Sequence, residues 1–272
     1  METSTELSES LFKKIAVLFK ESSGINLKDY KKYLVEYRLQ KFVGEGKPFK
    51  DFHSYYRALK ADKTGELRTE FVNSLTTNYT YFFREAVHFR FLKNYLAKHG
   101  STEQYLRFWS AGCSSGEEAY SMAITCLEHG VAQKDIKILA TDISLKVLTF
   151  AAEGIYHYSK IKGDLSDSTL RKYFIFNPDK KNFQVREEVK QLIAFRYLNL
   201  MDPFPFRKRF DIVFLRNVLI YFDTHEKEII LEKIGEELKE GGYLILGLSE
   251  SLVGIQHRFT QLKYSIYRKD YS

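Results

Sequence analysis

Four short segments of this sequence combine residue types that can hold a polar ligand. The run Ser110-Ala111-Gly112-Cys113-Ser114-Ser115-Gly116-Glu117-Glu118 is a turn of small residues that opens into a helical stretch. Small side chains let the backbone pass close to a ligand, and a helix start offers unpaired N–H groups. A dinucleotide enzyme would place a pyrophosphate there, but Glu117 and Glu118 would repel it. S-adenosylmethionine, which carries an ammonium and a sulfonium, suits those acids better, with the backbone at Gly112 passing close to it; the turn could also exist for packing alone. Asp142 stands twenty-six residues after Gly116, where a carboxylate can accept hydrogen bonds from both hydroxyls of a ribose or cap the next helix. Arg216 and Asn217 follow an apolar run and should face the cleft beyond the strand ends. Tyr221 comes four residues later, either in the same cleft or as an ordinary half-buried aromatic. The fourth segment, Asn78-Tyr79-Thr80-Tyr81-Phe82-Phe83-Arg84, alternates polar residues with aromatics. Such segments between domains often touch ligands, with plain interdomain packing as the alternative.

The elements needed to position these residues can be read from periodicity. From Ser8 to about Phe71 apolar residues recur at helical spacing, with breaks at Ser22-Ser23-Gly24, Gly44 to Pro48 and Thr64-Gly65. This predicts about four short helices in a small all-α domain over 1–77, then a linker and first helix over 78–104. From Tyr105 short β-branched or apolar runs alternate with helical stretches, the pattern of a parallel sheet with crossover helices. Strands are expected at Leu106–Ser110, Ile136–Thr141, Phe210–Leu215 and Tyr243–Leu248. Helices are expected at Glu117–Glu128, Leu145–Ala152 and His225–Lys239, the last stopped by Gly241-Gly242. Phe259–Gln261 and Ser265–Lys269 could close the sheet as an antiparallel pair. A hairpin with the polar turn Asn177-Pro178-Asp179-Lys180-Lys181-Asn182 marks a β insertion at about 170–198. The expected fold class is α/β: a Rossmann-like S-adenosylmethionine-binding domain over 105–272 with a small β-subdomain insertion, preceded by the helical domain.

Composition narrows the function classes. Hydrophobic residues make up 44% and charged residues 28%, an ordinary balance for a globular protein and not for a disordered one. No run is long enough to span a bilayer, and Met1 to Ser10 lacks the basic-then-apolar order of a secretory signal, so a cytoplasmic location without membrane insertion is expected. Two cysteines, Cys113 and Cys126, make no disulfide framework. Seven histidines without paired spacing argue against a metal centre. The net charge of +7 points to an anionic partner or to simple solvation.

Taken together the segments resemble the CheR family, the methyltransferases that esterify glutamates on bacterial chemoreceptors. The resemblance covers nearly the whole chain and rests on Asn78 to Arg84, Phe108 to Glu118, Ala140-Thr141-Asp142-Ile143, Arg216-Asn217-Val218-Leu219-Ile220-Tyr221-Phe222 and Gly241-Gly242-Tyr243-Leu244. It implies cofactor contacts from Asn78, Thr80, Arg84, Glu118, Asp142, Arg216 and Asn217, with Asn199 and Leu200 beside the adenine. It places Arg84 and Tyr221 nearest the transferred methyl, S-adenosylhomocysteine as the product, and the cytoplasmic helical part of a methyl-accepting chemotaxis receptor as the partner of a monomeric enzyme. Some members bind a tethering peptide through the β insertion and share a glycine-rich turn there; this chain has Asn177 to Asn182 instead. Between Lys13 and Arg68 fourteen Lys or Arg stand against seven Asp or Glu, an excess equal to that of the whole chain. On a helix expected near Leu27–Val43, Lys28, Lys31, Lys32, Arg38 and Lys41 fall on one broad half of the wheel, while Leu27, Tyr30, Leu34 and Tyr37 recur at helical spacing. That stripe reads as a docking surface for an acidic receptor helix, or as a solvated face. Other readings are a methyltransferase of small molecules or nucleic acid, for which no nucleic-acid module is present, and a non-catalytic receptor-binding homologue.

Overall fold

A computed structural model describes residues 6–99, 105–130, 135–161 and 163–270. Residues 1–5 and 100–104, assigned above to the N-terminal domain and the linker, lie outside them. Ser8 starts α1 (Glu9–Ser23) by accepting from the Leu11 N–H, and Gly24 ends it in the left-handed region at φ 74°. A 3-10 turn over Asp29–Lys31 leads into α2 (Lys32–Leu39), followed by α3 (Phe52–Ala61) and α4 (Glu66–Leu75). Asp51 and Ser54 close a reciprocal capping box on α3. Phe12, Phe19, Phe52, Tyr55 and Phe71 fill the core between these helices. The helix expected over Leu27–Val43 is therefore shorter. Its buried residues are Val35 and Leu39, while Tyr30 and Tyr37 face solvent.

An irregular segment then leads to α5 (Val87–His99). The second domain continues with β1 (Leu106–Ala111), α6 (Glu117–Glu128), β2 (Ile136–Asp142) and α7 (Leu145–Glu153). Next come β3 (Ile155–His157), α8 (Tyr158–Ile161), α9 (Asp167–Tyr173), β4 (Phe174–Asn177), β5 (Asn182–Val185) and α10 (Glu187–Lys190). The chain closes with β6 (Ile193–Tyr197), β7 (Phe210–Leu215), α11 (Thr224–Glu237), β8 (Leu238–Leu246), β9 (Phe259–Gln261) and β10 (Ile266–Lys269). Seven strands form the main sheet in the order β6-β2-β1-β7-β8-β10-β9, parallel from β6 to β8, with β10 antiparallel to both of its neighbours. Every residue of β7 is buried, as a central strand covered on both faces requires.

Two expectations change. The β insertion is a separate three-stranded sheet, β3-β5-β4, so it begins near Ile155 rather than 170. Ile193–Tyr197, drawn inside it, is instead β6 on the edge of the main sheet, paired with β2. Gly241-Gly242 does not stop a helix: α11 ends at Glu237 and the glycines lie within β8, where the β7–β8 register shifts. Gly241 has φ 71°, and a Cβ on Gly242 would lie 2.8 Å from the Lys239 carbonyl oxygen, so both sites of this bulge demand glycine.

The N-terminal domain rests on the start of α11. Asp223 and Glu226 form its capping box, and Lys20 bridges to both at 3.0 and 2.9 Å. The Asn26 N–H donates to the Tyr221 carbonyl at 3.1 Å. At the same seam a Cβ on Gly24 would lie 2.3 Å from Met201 Cγ and 3.2 Å from Phe222 Cε1. Gly24→Ala combines a left-handed backbone with overpacking and should destabilise the protein by about 1–3 kcal/mol. Urea denaturation checks this, and parental stability would contradict the packing described.

Candidate functional site

At the carboxyl ends of the parallel strands lies a cavity of about 320 Å³, at the lower end of the size range of small-molecule sites. Its lining includes all eleven residues expected at the cofactor and methyl-transfer positions: Asn78, Thr80, Arg84, Gly112, Glu118, Asp142, Asn199, Leu200, Arg216, Asn217 and Tyr221. They come from the interdomain segment, the glycine loop and the tips of β2, β6 and β7. The N-terminal domain adds Ile25, Leu27, Lys31 and Leu34 to the wall.

Asp142 ends β2, 9% exposed, and its carboxylate accepts the Ser114 N–H and the Ser144 N–H, each at 2.9 Å. Burial pushes its pKa up, and those backbone amides oppose the shift. Ser114, in the glycine loop, is held at φ 50°. A carboxylate has lone pairs for further donors, so Asp142 can take ribose hydroxyls while still bracing the loop. Ser144 caps α7, the alternative role weighed for Asp142. Gly112 has φ 81°, and a Cβ there would meet Val218 Cγ2 at 2.5 Å; its glycine is thus also a demand of the β7 loop packed against it.

Glu118 does not present a free charge. It accepts from Ser110 Oγ at 2.6 Å and from Arg216 at 2.8 Å. Arg216, 6% exposed, also pairs with Glu85 at 3.1 Å and donates to the Arg84 carbonyl. Burial works to raise the Glu85 carboxyl, but Arg216 and the Leu248 N–H outweigh it and hold it below its ordinary value. The Arg216 Nε is buried without a partner among the described residues, one observation that fits a polar ligand beside it. Glu117, half of the argument for a cationic cofactor, does not line the cavity: it accepts from Ser115 Oγ at 2.6 Å, and burial drives its pKa to about 7.

Arg84 donates to the Tyr79 carbonyl at 3.0 Å and lies 5.8 and 5.9 Å from the ring centroids of Tyr79 and Tyr81. Its neighbours Phe83 and Glu85 both have positive φ, 55° and 58°. Tyr221 sits in a 3-10 turn over Leu219–Tyr221. Burial pushes its phenol pKa up, opposed by the adjacent Thr77 hydroxyl and by the positive charges of Arg38 and Arg84. Asn199 is buried, and its side chain accepts the Met201 N–H at 3.0 Å.

The five basic residues read as one docking stripe separate into different environments. Arg38 points inward and donates to the carbonyls of Leu75 and Thr76 and to Thr77 Oγ1. Lys32 pairs with Glu9 at 3.1 Å, and Lys41 approaches Glu70 at 3.9 Å. Lys31 lies 5.6 Å over the Tyr221 ring at the cavity wall, and Lys28 is exposed. Glu85, Thr77 and Glu250 were not legible as site residues. They act on backbone or on other side chains, and no spacing rule marks them.

The buried Glu117 yields a pH prediction. Its folded pKa of about 7 exceeds the ordinary 4.5, so the folded state holds the proton more tightly. The stability this gives is full below the ordinary value and is lost as pH rises to about 7. Glu117→Gln should match the parent near about pH 4 and exceed it by up to about 3 kcal/mol near about pH 8. Denaturant melts at both pH values check this; a pH-independent difference would exclude Glu117 as the titrating group.

Among the described residues no group of His, Cys, Asp or Glu could hold a metal ion. Comparison with known proteins bears directly on this cavity. The CheR methyltransferase SAM binding domain matches residues 78–268, and the CheR methyltransferase all-alpha domain matches residues 10–76. A chemotaxis protein methyltransferase of Borreliella burgdorferi is 43% identical over 242 residues, covering 85% of this chain and 84% of that protein. The chemotaxis protein methyltransferase Cher2 of Pseudomonas putida is 37% identical over 265 residues, covering 93% and 94%. The chemotaxis protein methyltransferase of Escherichia coli is 36% identical over 265 residues, covering 96% and 91%.

Proposed function

The chain belongs to the CheR methyltransferase family and is an S-adenosylmethionine-dependent methyltransferase of chemotaxis, and we propose that Arg84 and Tyr221 position a glutamate carboxylate of a chemoreceptor's cytoplasmic helices as its acceptor. The observation that carries this reading is the single cavity in which both residues stand with all the cofactor candidates. S-adenosylmethionine supplies, when bound, an electrophilic methyl on a sulfonium. Asp142 would hold its ribose, Asn199 and Leu200 its adenine, and Asn78, Thr80, Glu118 and Asn217 its remaining polar groups.

A glutamate side chain is ionised at neutral pH, with an ordinary pKa of about 4.3, so the acceptor needs no general base. The protein's task is then alignment and removal of water. Tyr221, its pKa raised by burial, stays protonated at neutral pH and can donate a hydrogen bond to the acceptor carboxylate. Arg84 supplies a cation whose guanidinium is already steadied by the Tyr79 carbonyl and two aromatic rings. Both orient the acceptor, since a tight ion pair would blunt its nucleophilicity.

The N-terminal domain supplies the surface beside the cavity. Tyr30, Tyr33 and Tyr37 are 77, 80 and 66% exposed along the start and face of α2, next to Lys28 and Lys31. Large exposed aromatics among cations suit an acidic helical partner. Lys28 and Lys31 keep their docking role in this reading, whereas Arg38, Lys32 and Lys41 are engaged within the domain. The enzyme acts on this reading as a cytoplasmic monomer; no helix among the described residues is long and apolar enough to cross a membrane.

Incubating the protein with radiolabelled S-adenosylmethionine and membranes bearing chemoreceptors should give base-labile methyl label on the receptor. Measured cofactor binding with no such label would overturn the acceptor assignment. Tyr221→Phe and Arg84→Ala should each slow transfer about tenfold or more while changing cofactor affinity less, as read by calorimetry beside the label assay. Lys28→Glu with Tyr33→Ala should raise KM for receptor membranes several-fold, by about 1 kcal/mol, and leave cofactor affinity unchanged. An unaltered KM would return that surface to solvation.

A further inference from the structure

Glu250 follows β8 and is 7% exposed, yet it makes no ion pair among the described residues. A buried carboxylate in that state must be satisfied by hydrogen bonds, and its donors are all backbone amides. Oε2 accepts the Asn217 N–H at 2.6 Å and the Gly247 N–H at 2.8 Å, and Oε1 accepts the Ile220 N–H at 3.3 Å. The Leu219 amide also faces it. Apart from Gly247, every one of these amides lies in the loop that leaves β7 and carries Asn217 and Tyr221.

Within the loop the Tyr221 N–H reaches the Val218 carbonyl at 3.2 Å and the Phe222 N–H the Leu219 carbonyl at 3.1 Å, while the amides of Asn217 and Ile220 are taken by Glu250. Asn217 sits at φ 59°, in the left-handed region, which asparagine tolerates better than most residues but less readily than glycine. The residue before the 3-10 turn is Val218, which offers no side-chain cap. Glu250, in the turn that follows β8, provides the acceptor that a capping side chain would provide locally. The closeness of the two strand tips is itself enforced: a Cβ on Gly247 would lie 2.4 Å from Asn217 Nδ2 and 2.9 Å from Glu250 Oε2. Glycine there lets the Asn217 amide and the Glu250 carboxylate pack together.

We propose that Glu250 is a positioning residue for methyl transfer, fixing the backbone of residues 217–220 so that Asn217 is set against the cofactor and Tyr221 against the acceptor. The part concerning Tyr221 rests on the role proposed for that residue above. Two oxygens are needed because one takes two amides while the other takes the turn. An amide in place of the carboxylate keeps one acceptor and aims an N–H donor at a backbone N–H on the other side.

The full-length protein with Glu250→Gln, Tyr221→Phe and the double substitution would be compared for cofactor Kd by calorimetry, thermal midpoint, and kcat and KM on chemoreceptor-bearing membranes. Glu250→Gln should lower kcat about tenfold with KM for receptor and the thermal midpoint little changed. Because it acts through the same loop, it should slow Tyr221→Phe by much less than it slows the parent. Glu250→Ala, if it folds, should be slower than Glu250→Gln. Parental kcat in Glu250→Gln, or losses that multiply in the double variant, would overturn the assignment while leaving a slow Tyr221→Phe to support the role of Tyr221. A normal rate in Tyr221→Phe would instead remove that role and with it the Tyr221 half of this inference. A slow Glu250→Gln whose thermal midpoint falls in step with its rate would mark Glu250 as scaffold only.

Discussion

Arg216 carries a positive charge at the tip of β7 with almost no exposure, where removing an ion from water costs several kcal/mol unless it is paired and hydrogen-bonded. Its partners come from separate parts of the chain: Glu118 from α6, and Glu85 with the Arg84 carbonyl from the interdomain segment. The charge can be buried only if all three approach together. The central strand, the helix after the glycine loop and the segment that enters the domain are thereby fixed to one point beneath the cavity. Glu85 extends the connection by accepting the Leu248 N–H at 3.0 Å beyond β8, and its carboxylate lies 3.4 Å from buried His88. Burial, with the charge of Arg216 beside it, drives the His88 pKa down to about 4, so this imidazole stays neutral near neutral pH and does not add a second cation to the cluster.

Around that point the backbone is held in conformations it would not choose. Phe83, Glu85, Ser114 and Asn217 all have positive φ without being glycine, and such residues persist only where surrounding contacts over-determine them. Each has a side-chain clamp. Ser121 Oγ accepts the Phe83 N–H, Asp142 the Ser114 N–H and Glu250 the Asn217 N–H, while Glu85 is held through its own carboxylate. These clamps come from α6, from the tip of β2 and from the turn after β8, next to the sheet or packed on it. The strain is thus balanced by rigid scaffold, leaving the cavity walls preorganised for a reaction whose main demand is alignment.

The chemistry of the site was more legible in the sequence than its mechanics. Gly112, Asp142 and Arg216 were readable because strand-to-loop transitions in a parallel sheet place ligands at one edge, and each stands at such a transition. Glu250 and Glu85 were invisible because they bond to backbone amides or to Arg216, and an amide pattern leaves no trace in side-chain periodicity. Among the elements, β7 stood out as a buried apolar run, whereas β6 was folded into the insertion because it is an edge strand with Ala194, Arg196 and Tyr197 exposed. Gly241-Gly242 after a helical stretch looks like a helix end; only the register with β7 reveals a bulge. Tyr30 and Tyr37 show a different limit. Their helical spacing marks a helix but not which face is buried: tyrosine can lie on either side of an interface, and here the apolar face of α2 is Val35 and Leu39.

The distribution of charge separates stability from recognition. The +7 excess of the N-terminal region does not form one uniform field. Lys20 joins the two domains through Asp223 and Glu226, Arg38 ties α2 to the carbonyls that end α4, and Lys32 and Lys41 answer acids of their own domain. Of these four, Lys20 holds the helical domain against the catalytic one, and the other three act within the helical domain. Lys31 at the cavity wall and Lys28, exposed and nearby in the sequence, make no ion pair among the described residues, so their charge is not offset by an acid of their own domain. A cation engaged by its own protein gains little from a second acid, whereas one at a cleft mouth steers an approaching carboxylate. The basic character seen in the sequence thus includes a cation that sets the domain seam, Lys20, others engaged within the helical domain, and Lys31 at the cavity wall with Lys28 nearby, so net charge alone does not locate a recognition surface.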